Sequence, residues 1–273
     1  MSTHHAPRTS AKPPCGTHYD FANILFAGPC NARCPFCIGR QIDPRLSVNN
    51  LREFPPSNLD RFVEMVLAHA IKQVIFTGTT TDPQLYRHEA RLLDYLRSQL
   101  PGDTHYSLHT NGRLALQKLE TFNHYDRACL SFPTFDPATY FKMMGVRGVP
   151  DLAQIVYRAQ IPIKVSCVVN EHNRSELPEF LEHCQTIGIK RLVVRQLYGD
   201  PHALPIVTGL ARSSTALCSA QNELTQLGEY RGNPVYDYRG MEVTYWNFDH
   251  CDCQSINLFS DGTISADYLL VKA

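Results

Sequence analysis

Between residues 21 and 197, short apolar runs rich in β-branched residues alternate with longer amphipathic stretches. The runs FANILFAG (21–28), KQVIFTG (72–78), THYSLHT (104–110), RACLSF (127–132), IKVSCVV (163–169) and RLVVRQL (191–197) predict six strands. None alternates cleanly between apolar and polar, as expected of strands covered on both faces. Between them, NLDRFVEMVLAHA follows the cap candidates Ser57 and Asn58, YRHEARLLDYLRSQL stops at Pro101-Gly102, and SELPEFLEHCQTIG runs from Ser175 to Gly188. These patterns predict helices. Six β/α units in series imply parallel strands joined by right-handed crossovers, hence an α/β barrel or part of one.

Beyond residue 198 the texture changes. As far as about residue 233 the chain is turn-rich and predicts no element. PVYDYRGMEVTYW then reads as two strands about Arg239-Gly240, and INLFSDGTISADYLLV as a hairpin turning on Asp261-Gly262. The organisation expected is a disordered tail over 1–18, a barrel over 19–200 and a β-rich extension over 201–273. The extension reads as a small appendage and not as a seventh and eighth barrel unit.

Composition narrows the class. At 273 residues the chain can bury a full core, and 26 basic side chains balance 26 acidic ones. No long block of like charge advertises a nucleic-acid face. No apolar run approaches the roughly 18 residues of a membrane span, and the N-terminal segment lacks the apolar stretch of a secretory signal. A cytoplasmic protein without membrane partners is the expectation. Ten cysteines in such a chain point to metal binding or catalysis before disulfides. Cys129, Cys167 and Cys184 lie in apolar segments and read as small buried hydrophobes; Cys15, Cys218, Cys251 and Cys253 lie in polar surroundings.

The chemistry concentrates in AGPCNARCPFCIG (27–39), just after the first expected strand, which places Cys30, Cys34 and Cys37 on a loop at the C-terminal face where β/α barrels build their sites. A zinc ion would need a fourth ligand, for which Cys15 or His18 is available, but no second pair has finger or ribbon spacing. An iron–sulfur cube held by three thiolates instead leaves one iron open to a small molecule.

Three cysteines with three and then two intervening residues, and the aromatic Phe36 before the third, resemble the motif of the radical S-adenosylmethionine (SAM) enzymes. The resemblance covers roughly residues 20–200 and implies a partial (β/α)6 TIM-like barrel, a [4Fe-4S] cluster on Cys30, Cys34 and Cys37, and SAM at the open iron. In the family a Gly-Gly-Glu-like turn after the second strand holds the methionine amino group. Here FTGTTTDPQL stands there, with Gly78 kept and Thr79, Thr80, Thr81 and Asp82 in place of the second glycine and the glutamate. SLHTNG resembles the family's TNG end of the third strand and nominates His109 and Asn111. LSFPTFD puts Ser131 at the usual serine, and YFKMMGVRG resembles the Arg-Gly turn before the next helix. VSCVVNEHN nominates Asn170 for the ribose hydroxyls, and VVRQLYG offers Arg195 to the SAM carboxylate.

The chemistry so implied is reductive cleavage of SAM to methionine and a 5′-deoxyadenosyl radical, which abstracts hydrogen from a substrate. The cofactor does the hard step and the barrel positions the substrate. A ferredoxin- or flavodoxin-like electron donor follows as a partner. The reading from another class is a zinc-stabilised binding protein that does no chemistry.

HCDCQSINLFSDGTISADY resembles the hairpin of the auxiliary-cluster domains, of twitch or SPASM type, found in radical SAM peptide maturases. Cys251 and Cys253 precede the hairpin and Gly262 is its turn, but Asp267 stands where a cysteine is expected. Three readings remain open: a second iron–sulfur cluster on Cys218, Cys251 and Cys253 with Asp267 or His250; a hydrogen-atom donor or substrate ligand among these cysteines; and a degenerate hairpin with ordinary thiols. A peptide or protein side chain is favoured as substrate, ahead of a small metabolite or nucleotide.

Overall fold

The computed structural model describes residues 18–197, 224–248, 251–267 and 269. In chain order, β1 (Phe21–Phe26) leads to α1 (Leu59–Ala68), β2 (Gln73–Gly78) to α2 (Glu89–Gln99), and β3 (His105–Thr110) to α3 (Leu119–Asn123). Then β4 (Arg127–Ser131) leads to α4 (Pro137–Met144) and α5 (Leu152–Arg158), β5 (Ile163–Val169) leads to α6 (Leu177–Thr186), and β6 is Arg191–Gln196. Each neighbouring pair from β1 to β6 is parallel, so the six expected strands form the partial barrel in sequence order.

Strand parity divides the sheet. Ile24, Phe76, Leu108, Leu130, Val165 and Val194 join the main core, against helix residues such as Phe62, Leu93 and Leu181. Each large apolar side chain buried there contributes about 1.5–3 kcal/mol relative to exposure. The alternate positions point to the concave side. On that face Gln73, Ser107, His109, Arg127, Lys164 and Arg195 make the lining polar.

The C-terminal part contributes β7 (Leu224–Tyr230), β8 (Asn233–Tyr238), β9 (Met241–Trp246), β10 (Ser255–Leu258) and β11 (Ile264–Ser265). It is β-rich as expected, yet it is continuous with the barrel sheet, whose full order is β11-β10-β1-β2-β3-β4-β5-β6-β9-β8-β7. β9 lies parallel to β6 and β10 parallel to β1, so both edges of the six-stranded sheet gain a parallel neighbour with no β/α unit of its own. Edge backbone groups must find partners, and the extension supplies them. β7 falls in the stretch where no element was expected. Its residues are mostly exposed, so it carries no apolar alternation, and it forms by antiparallel pairing with β8 through an irregularity between Gln226 and Gly228.

Two helix starts also differ from expectation. Asn58 adopts a left-handed conformation (φ 62°) and does not cap α1 through its side chain; its amide donates to Gly262 O at 2.9 Å, tying the hairpin turn to the barrel. Ser175 lies in a 3-10 turn (Arg174–Glu176) that precedes α6. The tail up to residue 17, Cys15, Cys218 and His250 lie outside the described residues. Among the described residues no helix is long and apolar enough to cross a membrane.

Candidate active site

The cysteine loop leaves the C-terminal end of β1. Its three thiols are half-buried, and the loop rests on the last turn of α4. Ala32, Tyr140, Met143 and Met144 form a small cluster with Cys30, Cys34 and Phe36 against it. Arg33 N donates to Met144 O at 2.8 Å, and Cys34 Sγ lies 3.7 Å from Met144 Sδ. Gly145, left-handed at φ 66°, ends the helix here; a Cβ on it would stand 2.4 Å from Arg33 O. The resemblance located this segment in the sequence, but the sheltering role of Tyr140, Met143 and Met144 carried no sequence signal beyond helix periodicity.

On its other side the loop is laced to the turn after β2. Thr79 Oγ1 donates to Phe26 O at 3.1 Å, Thr80 Oγ1 to Gly28 O at 3.4 Å and Thr81 Oγ1 to Pro29 O at 2.7 Å. The three threonine hydroxyls are therefore engaged in bracing the two loops. Two glycines make the approach close enough. A Cβ on Gly78 would meet Thr81 O at 1.7 Å, and one on Gly39 would meet Thr79 O at 2.0 Å. Gly39, in the 3-10 turn Ile38–Gln41 directly after Cys37, is a site residue that sequence reasoning passed over.

Asp82 is buried and fully engaged by the protein. It accepts from Thr110 Oγ1 (2.8 Å), Asn111 N (2.7 Å) and Gln84 N (3.0 Å). Burial raises its pKa, and those bonds pull it back. Asn111 extends the lattice to the cysteine loop, its amide donating to Asn31 Oδ1 at 2.7 Å. Below Asp82, Lys118 pairs with buried Glu89, donates to Gln84 O at 2.8 Å, and faces Tyr125, whose hydroxyl donates to Glu89 at 3.1 Å.

The remaining nominated residues line the mouth. Ser131, at the end of β4, is exposed toward the concave side. Asn170 Oδ1 accepts from His172 N at 2.9 Å in the loop after β5. Arg195 sits 5.8 Å from the Phe248 ring, and its Nε is buried without an acceptor. Burial, followed by the charges of Lys164, Arg195 and Arg127, holds His109 well below its ordinary pKa, so it is neutral.

The thiols fit a cube better than a single ion. Burial raises the pKa of Cys30 and takes Cys34 to about 12, and the neighbouring cysteines push both further up, so a strong local cation is what would stabilise the thiolates. Among the described residues no three Cys, His, Asp or Glu side chains converge on one point as ligands of a mononuclear ion. Thiolates on separate corners of a cube need not converge.

Cys251 and Cys253 lie elsewhere. They precede β10, and β10 runs parallel to β1, whereas the cysteine loop follows β1. The two groups therefore sit at opposite ends of the sheet, on the order of 20 Å apart along a six-residue strand. Cys253 N donates to Cys251 Sγ at 3.5 Å, and Arg231 pairs there with Asp20 and Asp252. Burial and then the bond to Cys251 take the Cys253 thiol to about 12. Asp267 is exposed after β11, which runs antiparallel back toward that end. A cleft of about 230 Å³ between α5 and the start of β6, lined by Val156, Ile161 and Gly188, is remote from the cysteine loop.

Comparison with known proteins agrees with this geometry. A family model described as the Radical SAM superfamily matches residues 24–184. Two curated relatives are each named "Probable GTP 3′,8-cyclase". The one from Methanococcus maripaludis is 23% identical over 255 residues, covering 85% of this chain and 80% of its own. The one from Methanocaldococcus jannaschii is 23% identical over 171 residues, covering 60% of this chain and 55% of its own. Among solved structures, Streptococcus suis SuiB bound to precursor peptide SuiA superposes with a TM-score of 0.62 at 15% identity, and SuiB bound to S-adenosylmethionine with 0.60 at 15%. Each covers 92% of this chain, which spans about 60% of the SuiB chain. That likeness is one of fold.

Proposed function

The chain belongs to the radical SAM superfamily, an enzyme family that uses a [4Fe-4S] cluster and S-adenosylmethionine, and from that premise we propose that Cys30, Cys34 and Cys37 hold the cluster and that the substrate occupies the concave side of the barrel. When bound, these cofactors supply the reducing electron and a 5′-deoxyadenosyl radical that takes a hydrogen atom from an unactivated carbon. The observation that carries the reading is the placement of three thiols on one loop at the C-terminal end of β1, wedged between the α4 terminus and the braced turn after β2.

In this reading the chain's own residues hold and exclude. Met143, Met144 and Tyr140 keep one flank of the loop dry, which strengthens electrostatic interactions at the cluster. The threonine braces fix the loop against β2, and the backbone of the 78–81 turn is left to meet the SAM ammonium, since the Asp82 carboxylate is engaged elsewhere. Asn170 and Ser131 lie at the mouth within the same concave surface. The electron comes from a ferredoxin- or flavodoxin-like donor.

For the substrate, a small polar molecule is favoured over the peptide side chain expected from the sequence. The polar concave lining supports it, as does the nucleotide-directed activity for which the two relatives are named. Anaerobic purification followed by assay for 5′-deoxyadenosine with SAM and dithionite tests the core of the proposal. Brown protein with about four irons per chain on the motif cysteines and SAM cleavage is expected. Zinc with no cleavage would overturn it in favour of a non-catalytic zinc protein.

A further inference from the structure

Inside the barrel, three cations from neighbouring strands share the concave face, and among the described residues no carboxylate pairs with them. Arg127 opens β4, Lys164 is the second residue of β5, and Arg195 is the fifth of β6. Each alternates with core residues (Ala128, Val165, Val194), so each points to the concave side. The registers Cys129↔Lys164 and Lys164↔Arg191 set Arg127 and Lys164 at the N-terminal ends of adjacent strands, and Val168↔Arg195 sets Arg195 four residues nearer the mouth, its charge still acting on Lys164.

Their partners do not neutralise them. Arg127 Nε donates to the neutral Ser107 Oγ at 2.8 Å. The acid on this face next to them, Glu242, is engaged with Arg191 at 3.0 Å. Among the described residues Lys164 has neither a hydrogen-bond acceptor nor a carboxylate partner, and the buried Arg195 Nε has no acceptor. Cys129 pulls the Lys164 pKa up, but burial together with Arg195, Arg191 and Arg127 outweighs it and holds the ammonium below its ordinary value. Like charges gathered in a partly dry cavity repel. A sheet that maintains such a cluster gains stability, and a function, when an anion enters it.

We propose that Arg127, Lys164 and Arg195 form a subsite for an oxyanion group, phosphoryl or carboxylate, of a small-molecule substrate. This deepens the function proposed above and rests on it for the location of the substrate. Guanidinium forks match the planar or tetrahedral oxyanion, the ammonium adds a compact point charge, and the Ser107 and Ser166 hydroxyls stand on the same face as neutral donors. Arg195 is thereby assigned to the substrate, in place of the SAM carboxylate that the family resemblance set against it. The cations are spread along the barrel depth: Arg127 and Lys164 lie at the N-terminal ends of their strands, and Arg195 lies near the C-terminal end of β6, toward the mouth where the cysteine loop sits.

The test is titration calorimetry on the anaerobic, cluster-loaded full chain with inorganic pyrophosphate and, separately, with citrate. At least one anion should bind, more weakly as salt is raised. Lys164→Met should weaken that binding at least tenfold, and Lys164→Arg should restore it to within about threefold. The exposed-residue variant Lys142→Met should leave it unchanged. Stronger binding of pyrophosphate marks a phosphoryl group; stronger binding of citrate marks a carboxylate. If Lys164→Met unfolds, Arg127→Gln carries the same expectation. Binding of neither anion, equal binding by wild type and Lys164→Met, or capture of a glutamate-rich peptide alone would overturn the subsite. Loss of SAM cleavage in the wild-type chain would instead count against the function on which it rests, so the two failures are distinguishable.

Discussion

Replacing Gly39 by alanine isolates how tightly the cysteine loop must approach the turn after β2. The added Cβ would lie 2.0 Å from Thr79 O and 2.5 Å from Thr79 C. To reach even 3.0 Å, the shortest separation real Cβ atoms show, the Thr79 peptide and Gly39 must part by about 1 Å. Thr79 cannot retreat freely, because its N–H and hydroxyl bond Phe26 O at 2.8 and 3.1 Å. Overpacking of this kind costs about 1–3 kcal/mol, and breaking the two bonds adds about 1 kcal/mol each if the turn yields. The Cys37 thiol, 3.5 Å from the same carbonyl, moves with the loop. A misplacement of about 1 Å at a reacting centre costs on the order of 100-fold in rate. Gly39→Ala should therefore lower the urea midpoint, lose iron during anaerobic desalting, and slow 5′-deoxyadenosine formation by about 100-fold. Gly102→Ala, where a Cβ meets nothing within 4 Å, is the control, expected within about 0.5 kcal/mol of wild type. Wild-type iron retention and cleavage in Gly39→Ala would refute the reasoning.

Further outcomes follow from the same geometry. Changing Cys30, Cys34 and Cys37 together to alanine should remove the iron held by the motif loop, read as a loss of about four irons per chain by chemical assay; four residual irons would reveal a second cluster elsewhere in the chain. Asn111→Ala removes the 2.7 Å bond to Asn31 between two of the cysteines, costing about 1 kcal/mol and speeding iron loss to a chelator. Lys118→Met leaves the buried Glu89 carboxylate without its cation and should cost about 3–5 kcal/mol at neutral pH. Burial already raises the Glu89 pKa above the ordinary carboxylate value, with Lys118 opposing the rise. The folded chain thus holds that proton more tightly than the unfolded chain, and this group's contribution to stability falls as pH rises through the interval between the two pKa values. In Lys118→Met the interval widens upward, so urea melts should show the variant's deficit shrinking toward acid pH.

Much of the barrel could be read from the chain. Six strands and their order followed from apolar runs of the right length because both faces of a parallel strand are covered, and the cysteine spacing marked the loop after β1. β7 could not be read, since its mostly exposed residues answer to a pairing with β8 and not to a core. Nor could the engagement of Asp82, because its donors Thr110 and Asn111 lie on the next strand end. Gly39 gave no signal as a lone glycine; what it must avoid is the Thr79 carbonyl, about forty residues away.

By itself the sequence determined the local chemistry: which segments extend, which coil, and which three thiols stand within one loop, all set by interactions between residues a few positions apart. Only the tertiary structure decided which polar groups are already satisfied and which are not. Asp82 and the three threonines find their partners within the protein, while Arg127, Lys164 and Arg195 are brought to one face across three adjacent strands with no carboxylate partner among the described residues. That distinction depends on strand register and on which face of the sheet a residue occupies, and both are set by pairing across the whole barrel.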